Sequence, residues 1–169
     1  MLIALSGLPG TGKTTIAQSL ARKIGAVYIR IDSLEQAYME SGKVRTDVGA
    51  AGYLAGYAVA RDNLQLGLSV VADSANLLHI TRNAWRAVAI DTGVRVVEIE
   101  LICSDKEEHR RRVEGRRAHP ENFEMPTWES VLERQCDLWV SGHLVIDTTA
   151  VPVTQAVEKI INNLVLPAH

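Results

Sequence analysis

The stretch Gly7-Leu8-Pro9-Gly10-Thr11-Gly12-Lys13-Thr14-Thr15 carries the spacing Gly-x-x-x-x-Gly-Lys-Thr. Gly7, Gly10 and Gly12 let the backbone curl until successive N–H groups point inward, where they can hold anionic oxygens at the positive end of a helix dipole. Lys13 adds a mobile charge suited to the β- and γ-phosphates of a nucleoside triphosphate. Thr14 offers a hydroxyl to Mg²⁺, which prefers hard oxygen ligands and keeps several of its waters. The pattern has this meaning only between a strand and a helix. Leu2-Ile3-Ala4-Leu5 before it is a short apolar run, and Ile16-Ala17-Gln18-Ser19-Leu20-Ala21 after it has helical character, so both flanks are in place. Gly7, Leu8, Pro9, Gly10, Thr11, Gly12, Lys13, Thr14 and Thr15 are therefore the expected phosphate-binding set.

Three aspartates end apolar runs: Asp32 after Ala26–Ile31, Asp73 after Val70-Val71-Ala72, and Asp147 after Val145-Ile146. Asp32 has two readings. It is a base that takes a proton from an attacking hydroxyl and holds it in line with the γ-phosphate, or it is the N-cap of the next helix. Asp73 closes an apolar strand and is placed to hold a Mg²⁺-bound water, a turn residue being its alternative. Ser74 follows it where a motor-type ATPase would carry Glu, which argues against hydrolysis as the main activity. Asp147 is read as structural, fixing the loop that would border a nucleobase. Arg112 and Arg116, four apart, share one helical face and can stack on a base or grip phosphate oxygens. The bland alternative is a solvated face balanced by Glu107, Glu108 and Glu114.

An acceptor site would lie after the second and third strands. Tyr53, Tyr57 and Arg61 form one helical stripe, and Gly49, Gly52 and Gly56 permit close approach of another element. Tyr53, Tyr57 and Arg82 are candidate substrate contacts and Arg45 a weaker one, with a packed core helix as the alternative for the tyrosines. Trp85, Trp128 and Trp139 read as core anchors.

These residues need a scaffold that aligns strand ends. Apolar runs at Leu2–Ser6, Val27–Asp32, Ser69–Asp73, Val94–Cys103 and His143–Asp147 alternate with helical patterns near Lys13–Ile24, Ser33–Ser41, Val48–Leu66, Ile80–Thr92, Lys106–Arg117, Thr127–Trp139 and Val153–Leu164. The alternation predicts an α/β fold: a three-layer α/β/α sandwich on a five-stranded parallel sheet, whose ligands gather at the carboxyl ends of the strands. With 169 residues, 47% of them hydrophobic, the chain supports one domain, residues 1–169, and not two. The net charge of −2 provides no general field for nucleic acid or membrane. No apolar run approaches ~20 residues, as a bilayer span requires. The chain enters its first strand at once, without room for a signal peptide, and Cys103 and Cys136 are expected to be free thiols, so the expected location is cytoplasmic. The histidines show no metal-ligand spacing.

With these motifs in hand, the chain resembles the P-loop small-molecule kinases, the group of adenylate kinase, gluconate kinase, adenylylsulfate kinase, chloramphenicol phosphotransferase and the polynucleotide kinase domain. Arg112-Val113-Glu114-Gly115-Arg116-Arg117-Ala118-His119 is similar to the start of the adenylate kinase lid. The resemblance implies ATP and Mg²⁺ as cofactors, a small helical lid over about residues 110–126, Arg112 against adenine, and Arg116 on the transferring phosphate. Substrate signatures are absent. Arg30-Ile31-Asp32-Ser33-Leu34-Glu35 is not the adenylylsulfate kinase pattern Asp-Gly-Asp-Asn, no gluconate kinase segment replaces it, and Ser74-Ala75-Asn76-Leu77 stands where adenylate kinase has a Phe-Pro-Arg-like turn. Asp32-Ser33-Leu34 and Asp147-Thr148-Thr149 resemble short segments of chloramphenicol phosphotransferase and favour a hydroxyl acceptor.

The expected activity is transfer of the γ-phosphate of Mg-ATP to a hydroxyl of a small metabolite, nucleoside or antibiotic by a monomer or homodimer, with Lys13, Asp32 and Arg116 catalytic. Two other classes compete. A 5′-hydroxyl polynucleotide kinase needs a basic channel. A GTP-driven switch needs Asn-Lys-x-Asp and Asp-x-x-Gly, and neither occurs.

Overall fold

The structure, a computed structural model, describes residues 1–42, 48–115 and 126–165. Five strands, β1 (Leu2–Ser6), β2 (Val27–Arg30), β3 (Val70–Asp73), β4 (Val96–Ile102) and β5 (Leu144–Asp147), pair in the order β2-β3-β1-β4-β5, all parallel. Among the described residues seven helices connect or follow them: α1 (Lys13–Ile24), α2 (Ile31–Glu40), α3 (Ala51–Gln65), α4 (His79–Asp91), α5 (Lys106–Glu114), α6 (Trp128–Leu132) and α7 (Val153–Val165).

β1 lies at the centre, and all five of its residues are buried, because helices cover both faces of a parallel sheet. Its alternating side chains feed two cores. Ile3 and Leu5 join Ile16 and Leu20 of α1, Ile99 and Leu101 of β4, and Ile160 of α7. Leu2 and Ala4 join Ala72, Trp85 of α4, and Ala60 and Leu64 of α3 on the other side. These are the two interfaces of a three-layer sandwich. β1 also separates the strands reached early in the chain from β4 and β5, so the switch point where open α/β sheets bind ligands falls at its carboxyl end, at Gly7.

Several element boundaries differ from the sequence expectation, among them those of β2, α6 and β4. β2 stops at Arg30, and Asp32 lies in the first turn of α2. Ile31 is 1% exposed and already helical, while the extended Arg30 occupies the cap position with no side-chain cap. Asp32 is therefore not the N-cap, although a carboxylate in a first helical turn still suits the helix dipole. α6 ends at Leu132 rather than running to Trp139. The backbone of residues 137–138 is claimed elsewhere: Asp137 N–H donates to Leu77 O at 3.0 Å, and the carbonyls of Asp137 and Leu138 accept from Arg82. β4 begins at Val96, two residues late, at the edge of its pairing with Leu2.

α2 and α3 pack closely through Gly52 and Gly56, where a Cβ would come within 2.2 Å of Glu35 Cγ and 2.4 Å of Ile31 Cδ1. Gly49 does not share that contact; its φ of 52° is the reason for glycine there. Among the described residues no helix is long and apolar enough to cross a membrane, and Cys103 and Cys136 are free.

Candidate active site

The loop after β1 takes a shape that its glycines make possible. Gly7, Gly10 and Gly12 have φ of 142°, 86° and 85°. A Cβ on Gly7 would stand 2.3 Å from Leu101 O, and one on Gly10 would stand 2.7 Å from Val113 Cγ2. The loop is stitched to the end of β3, since Gly7 N–H donates to Ala75 O at 3.0 Å and Ser6 Oγ to Asn76 O at 3.0 Å. Within it, Leu8 O accepts from Thr11 Oγ1 and from Lys13 Nζ, both at 2.8 Å. α1 then starts at Lys13, leaving its first N–H groups toward the loop. This cradle of backbone donors, which side chains at the glycines would fill, fits a polyphosphate.

Two cavities open beside it. The larger, 920 Å³, is lined by Gly10, Gly12, Lys13, Thr14 and Thr15 at one end and by Arg30, Asp32, Glu35, Gln36, Tyr53 and Ser74 at the other, with Asp73 and Arg112 also on its walls. The smaller, 280 Å³, lies between Gly12, Thr15 and Ile16, the Arg112 side chain, and Thr148, Val151 and Pro152. Arg112 lines both. Its Nε donates to Glu108 Oε1 at 2.7 Å and its Nη1 to Thr148 Oγ1 at 2.9 Å, so it lies across the seam between α5 and the β5–α7 loop. Hydrogen bonds from Arg111 and Arg112 hold the Glu108 carboxyl at about 2. The loop is fixed by Asp147, whose carboxylate accepts from Ser104 Oγ, Ser104 N–H and Thr149 N–H. Those bonds, the Ser104 hydroxyl foremost, lower its pKa to about 2.

Asp73 is 3% exposed at the end of β3. It accepts from Tyr28 Oη at 2.7 Å and lies 3.9 Å from Arg30 Nε, while Arg30 Nη2 reaches Asp32 Oδ2 at 3.0 Å. One guanidinium thus bridges the two cleft carboxylates. Burial first, then the Asp73 charge, pushes the Tyr28 hydroxyl upward, so it remains a donor to Asp73 at any ordinary pH. The oxygens of Thr14 and Asp73 on one cavity are a donor pair of the kind that hard divalent cations take.

Of the candidate acceptor contacts, Tyr53 lines the cleft, and its hydroxyl, raised in pKa by burial, accepts from Asn76 N–H at 3.2 Å. Tyr57 and Arg82 are corrections. Tyr57 packs edge-on against Trp85 at 4.6 Å, donates to Thr81 O, and does not line the cavity. Arg82 is 2% exposed, and its guanidinium is consumed by the carbonyls of Asn76, Leu77, Asp137 and Leu138 while lying 3.9 Å over Trp139. Its fork is turned into the protein. Arg45 and Arg116 lie outside the described residues, as does the lid segment 116–125.

Two participants escaped the sequence reading. His109 is buried, with Nε2 2.7 Å from Pro9 O; a carbonyl only accepts, so that nitrogen carries hydrogen. Its ring meets Trp128 edge-on at 5.1 Å, so α5, α6 and the loop are joined at one imidazole. The available signal was His109 four residues before Val113, the buried stripe of an otherwise charged helix. Arg30, the bridge, sits in an apolar run where only its charge stood out.

A glycine-built phosphate loop at the switch point of an all-parallel sheet defines the class: a P-loop nucleotide-binding fold of the kinase type. The chain belongs to the AAA domain family, which it matches over residues 2–137. A Pyrococcus furiosus protein named as a candidate adenylate kinase is 52% identical over 31 residues, which span 18% of this chain and only 17% of that relative. A candidate kinase from Chloroflexus aurantiacus is similar in structure at 23% identity, covering 96% of this chain and 94% of its own, with a TM-score of 0.74. The APS kinase of Mycobacterium tuberculosis, in complex with AMPPNP and APS, is similar at 17% identity over 96% of each chain, with a TM-score of 0.69.

Proposed function

We propose that the protein is a phosphotransferase that moves the γ-phosphate of Mg-ATP to a hydroxyl of a small molecule. The observation that carries this reading is a single cleft lined at one end by Lys13 and Thr14 and at the other by Asp32, with Asp73 between them in the chain's strand-end set. A hydrolase needs only the first end and a water. Here a second compartment with polar walls adjoins the phosphate loop, as a kinase acceptor requires.

The loop backbone and Lys13 bind the β- and γ-phosphates and balance their charge. Thr14, and Asp73 through a water, would hold Mg²⁺, which would supply positive charge to offset that of the phosphates. The nucleobase would occupy the smaller cavity, whose lining offers the Arg112 side chain for stacking and the apolar Val151 and Pro152 for packing. Asp32 orients the acceptor hydroxyl and takes its proton, the Arg30 guanidinium at 3.0 Å holding the carboxylate in place. Arg116, as the family resemblance implies, meets the charge that develops on the transferring group.

Asp32→Asn tests the assignment. Asn keeps the shape, and the helix loses no cap because Asp32 is not one. Nucleotide affinity by titration should stay within a few-fold while transfer falls by roughly 10²–10⁴-fold. Undiminished transfer would move the orienting role to Asp73.

A further inference from the structure

The tip of the phosphate loop is a β-turn that its own residues leave undecided. Thr11 N–H donates to Leu8 O at 3.3 Å and closes the turn over Pro9 and Gly10. Gly10 has a φ of 86°, the conformation that a type II turn requires at its third residue. Types I and II share the closing hydrogen bond and differ by a half-rotation of the central peptide, here Pro9–Gly10. Proline has the φ that both types need at the second residue, and glycine accepts either sign of φ at the third. The local sequence therefore permits both orientations.

The two are not equivalent for an anion. A trans peptide is planar, so its carbonyl and its N–H point in opposite directions. In one orientation the loop offers the Gly10 N–H to a phosphate oxygen, and in the other it offers the Pro9 oxygen, which repels one. Among the described residues the Gly10 N–H makes no hydrogen bond, whereas the Pro9 carbonyl is taken.

His109 takes it. Its Nε2–H donates to Pro9 O at 2.7 Å, a buried bond between residues 100 apart in the chain. The ring lies against Gly10, where a Cβ would stand 3.1 Å from His109 Cδ2. The carbonyl is thus drawn toward α5, and the Gly10 N–H faces away from it, while Pro9 and Gly10 both line the 920 Å³ cavity. The anchor is itself secured. The Asp105 carboxylate caps α5 by accepting from the N–H groups of Glu107 and Glu108 at 3.0 Å each, and the imidazole meets Trp128 edge-on at 5.1 Å. Leu8 O, by contrast, is held from within the loop, by Thr11 Oγ1 and Lys13 Nζ.

Resting on the reading of this loop as the polyphosphate site of a kinase, we propose that His109 is a positioning residue. Its hydrogen bond to Pro9 O selects the type II form of the Leu8–Thr11 turn and so keeps the Gly10 N–H available to the polyphosphate. The imidazole acts through the loop backbone and not on the nucleotide. Arg112 lies on the same helix and lines the smaller cavity, so α5 governs the phosphate end and the proposed base end of the donor site together.

The test titrates the full chain with Mg-ADP and with magnesium tripolyphosphate, a probe that has phosphates and no base. Three variants separate the hydrogen bond from the ring, and thermal melts establish that each is folded. His109→Gln places an amide N–H near the position of Nε2 and has no ring. His109→Phe keeps an aromatic ring and has no donor. His109→Leu also lacks the donor and covers the case in which phenylalanine crowds Pro9 O and does not fold. Without the bond the turn samples both forms, and the fraction competent for phosphate falls. Both probes should weaken together, by roughly 10-fold or more in the Leu and Phe variants and by less than about 3-fold in the Gln variant. Wild-type affinity in a folded Leu or Phe variant, or a loss in the Gln variant equal to theirs, would overturn the positioning role and leave His109 as packing. Weaker ADP with unaltered tripolyphosphate would overturn it too, because the effect would then lie on the nucleobase side. A wild-type protein that binds both probes and phosphorylates no acceptor would lose the kinase reading while the result on His109 stands. One that binds neither probe would remove the phosphate loop and this inference with it.

Discussion

Arg82→Met separates a substrate contact from a structural staple. Methionine fills much of the same volume but returns none of the donors. Four carbonyls lose their partner, though unequally. Leu138 is exposed and rehydrates, and Asn76 O keeps its bond from Ser6 Oγ. Leu77 O and Asp137 O, at 2.7 and 2.9 Å from one guanidinium nitrogen, still have Leu77 O receiving Asp137 N–H. Counting one to two carbonyls effectively stranded, at ~1–3 kcal/mol each, gives ~1–6 kcal/mol. The guanidinium over Trp139 adds ~0.5–2 kcal/mol. A central value of ~3 kcal/mol corresponds to a melting shift of about 6–12 °C for a chain of this size. Thermal melts and urea titration read it directly. Because residues 137–138 are held by Arg82, the strap from α6 to β5 should also become protease-sensitive. A melt within 2 °C of wild type together with a raised acceptor KM would refute the staple and return Arg82 to the acceptor site.

Lys13→Ala should abolish nucleotide-dependent turnover with the melt almost unchanged, as its removal takes charge rather than apolar packing from the loop; wild-type turnover would remove the phosphate-loop assignment. Arg112→Ala should weaken ATP affinity more than kcat, because stacking on a base acts alike in ground and transition states; a loss confined to kcat would contradict the base-pocket role. Asp147 has a folded-state pKa of about 2, below its ordinary value of 3.8, so the carboxylate stabilises the β5–α7 loop above about pH 4, and that contribution fades as pH falls toward 2. The melting difference between wild type and Asp147→Asn should therefore shrink as pH is lowered from 5 to 2, and a difference independent of pH would show that its partners at Ser104 and Thr149 do not hold the charged form.

The sheet and the phosphate loop were legible in the sequence because each has a local signal: a continuous apolar run for the fully buried β1, fixed glycine spacing for the loop. Boundaries set by tertiary capture were not. The turn into α2 came at Ile31 because that side chain is buried against Gly56, a contact between segments 25 residues apart that no local pattern records. α6 ended early because the Asp137 N–H, which a longer helix would give to Glu133 O, goes to Leu77 O, while Arg82, on another helix, takes the carbonyls of Asp137 and Leu138. The acceptor candidates fared unevenly for the same reason. Tyr53 and Tyr57 share a helical stripe, yet the turn of helix between them along the axis puts one at the cleft and the other on Trp85. Arg82 reads from sequence as a free cation, and only the surrounding carbonyls reveal otherwise. His109 offered only its place four residues before Val113 on the buried stripe of α5, which marks packing and not contact with the phosphate loop.

The central claim is that the phosphoryl group leaves ATP for an organic hydroxyl and not for water. Incubating the protein with γ-labelled ATP, Mg²⁺ and a pool of hydroxylated small molecules, then separating the products by mass, decides it. The account predicts label on an organic acceptor, at a rate that rises with acceptor concentration and collapses in Lys13→Ala and Asp32→Asn. Label found only in inorganic phosphate, at a rate indifferent to every acceptor, would contradict it.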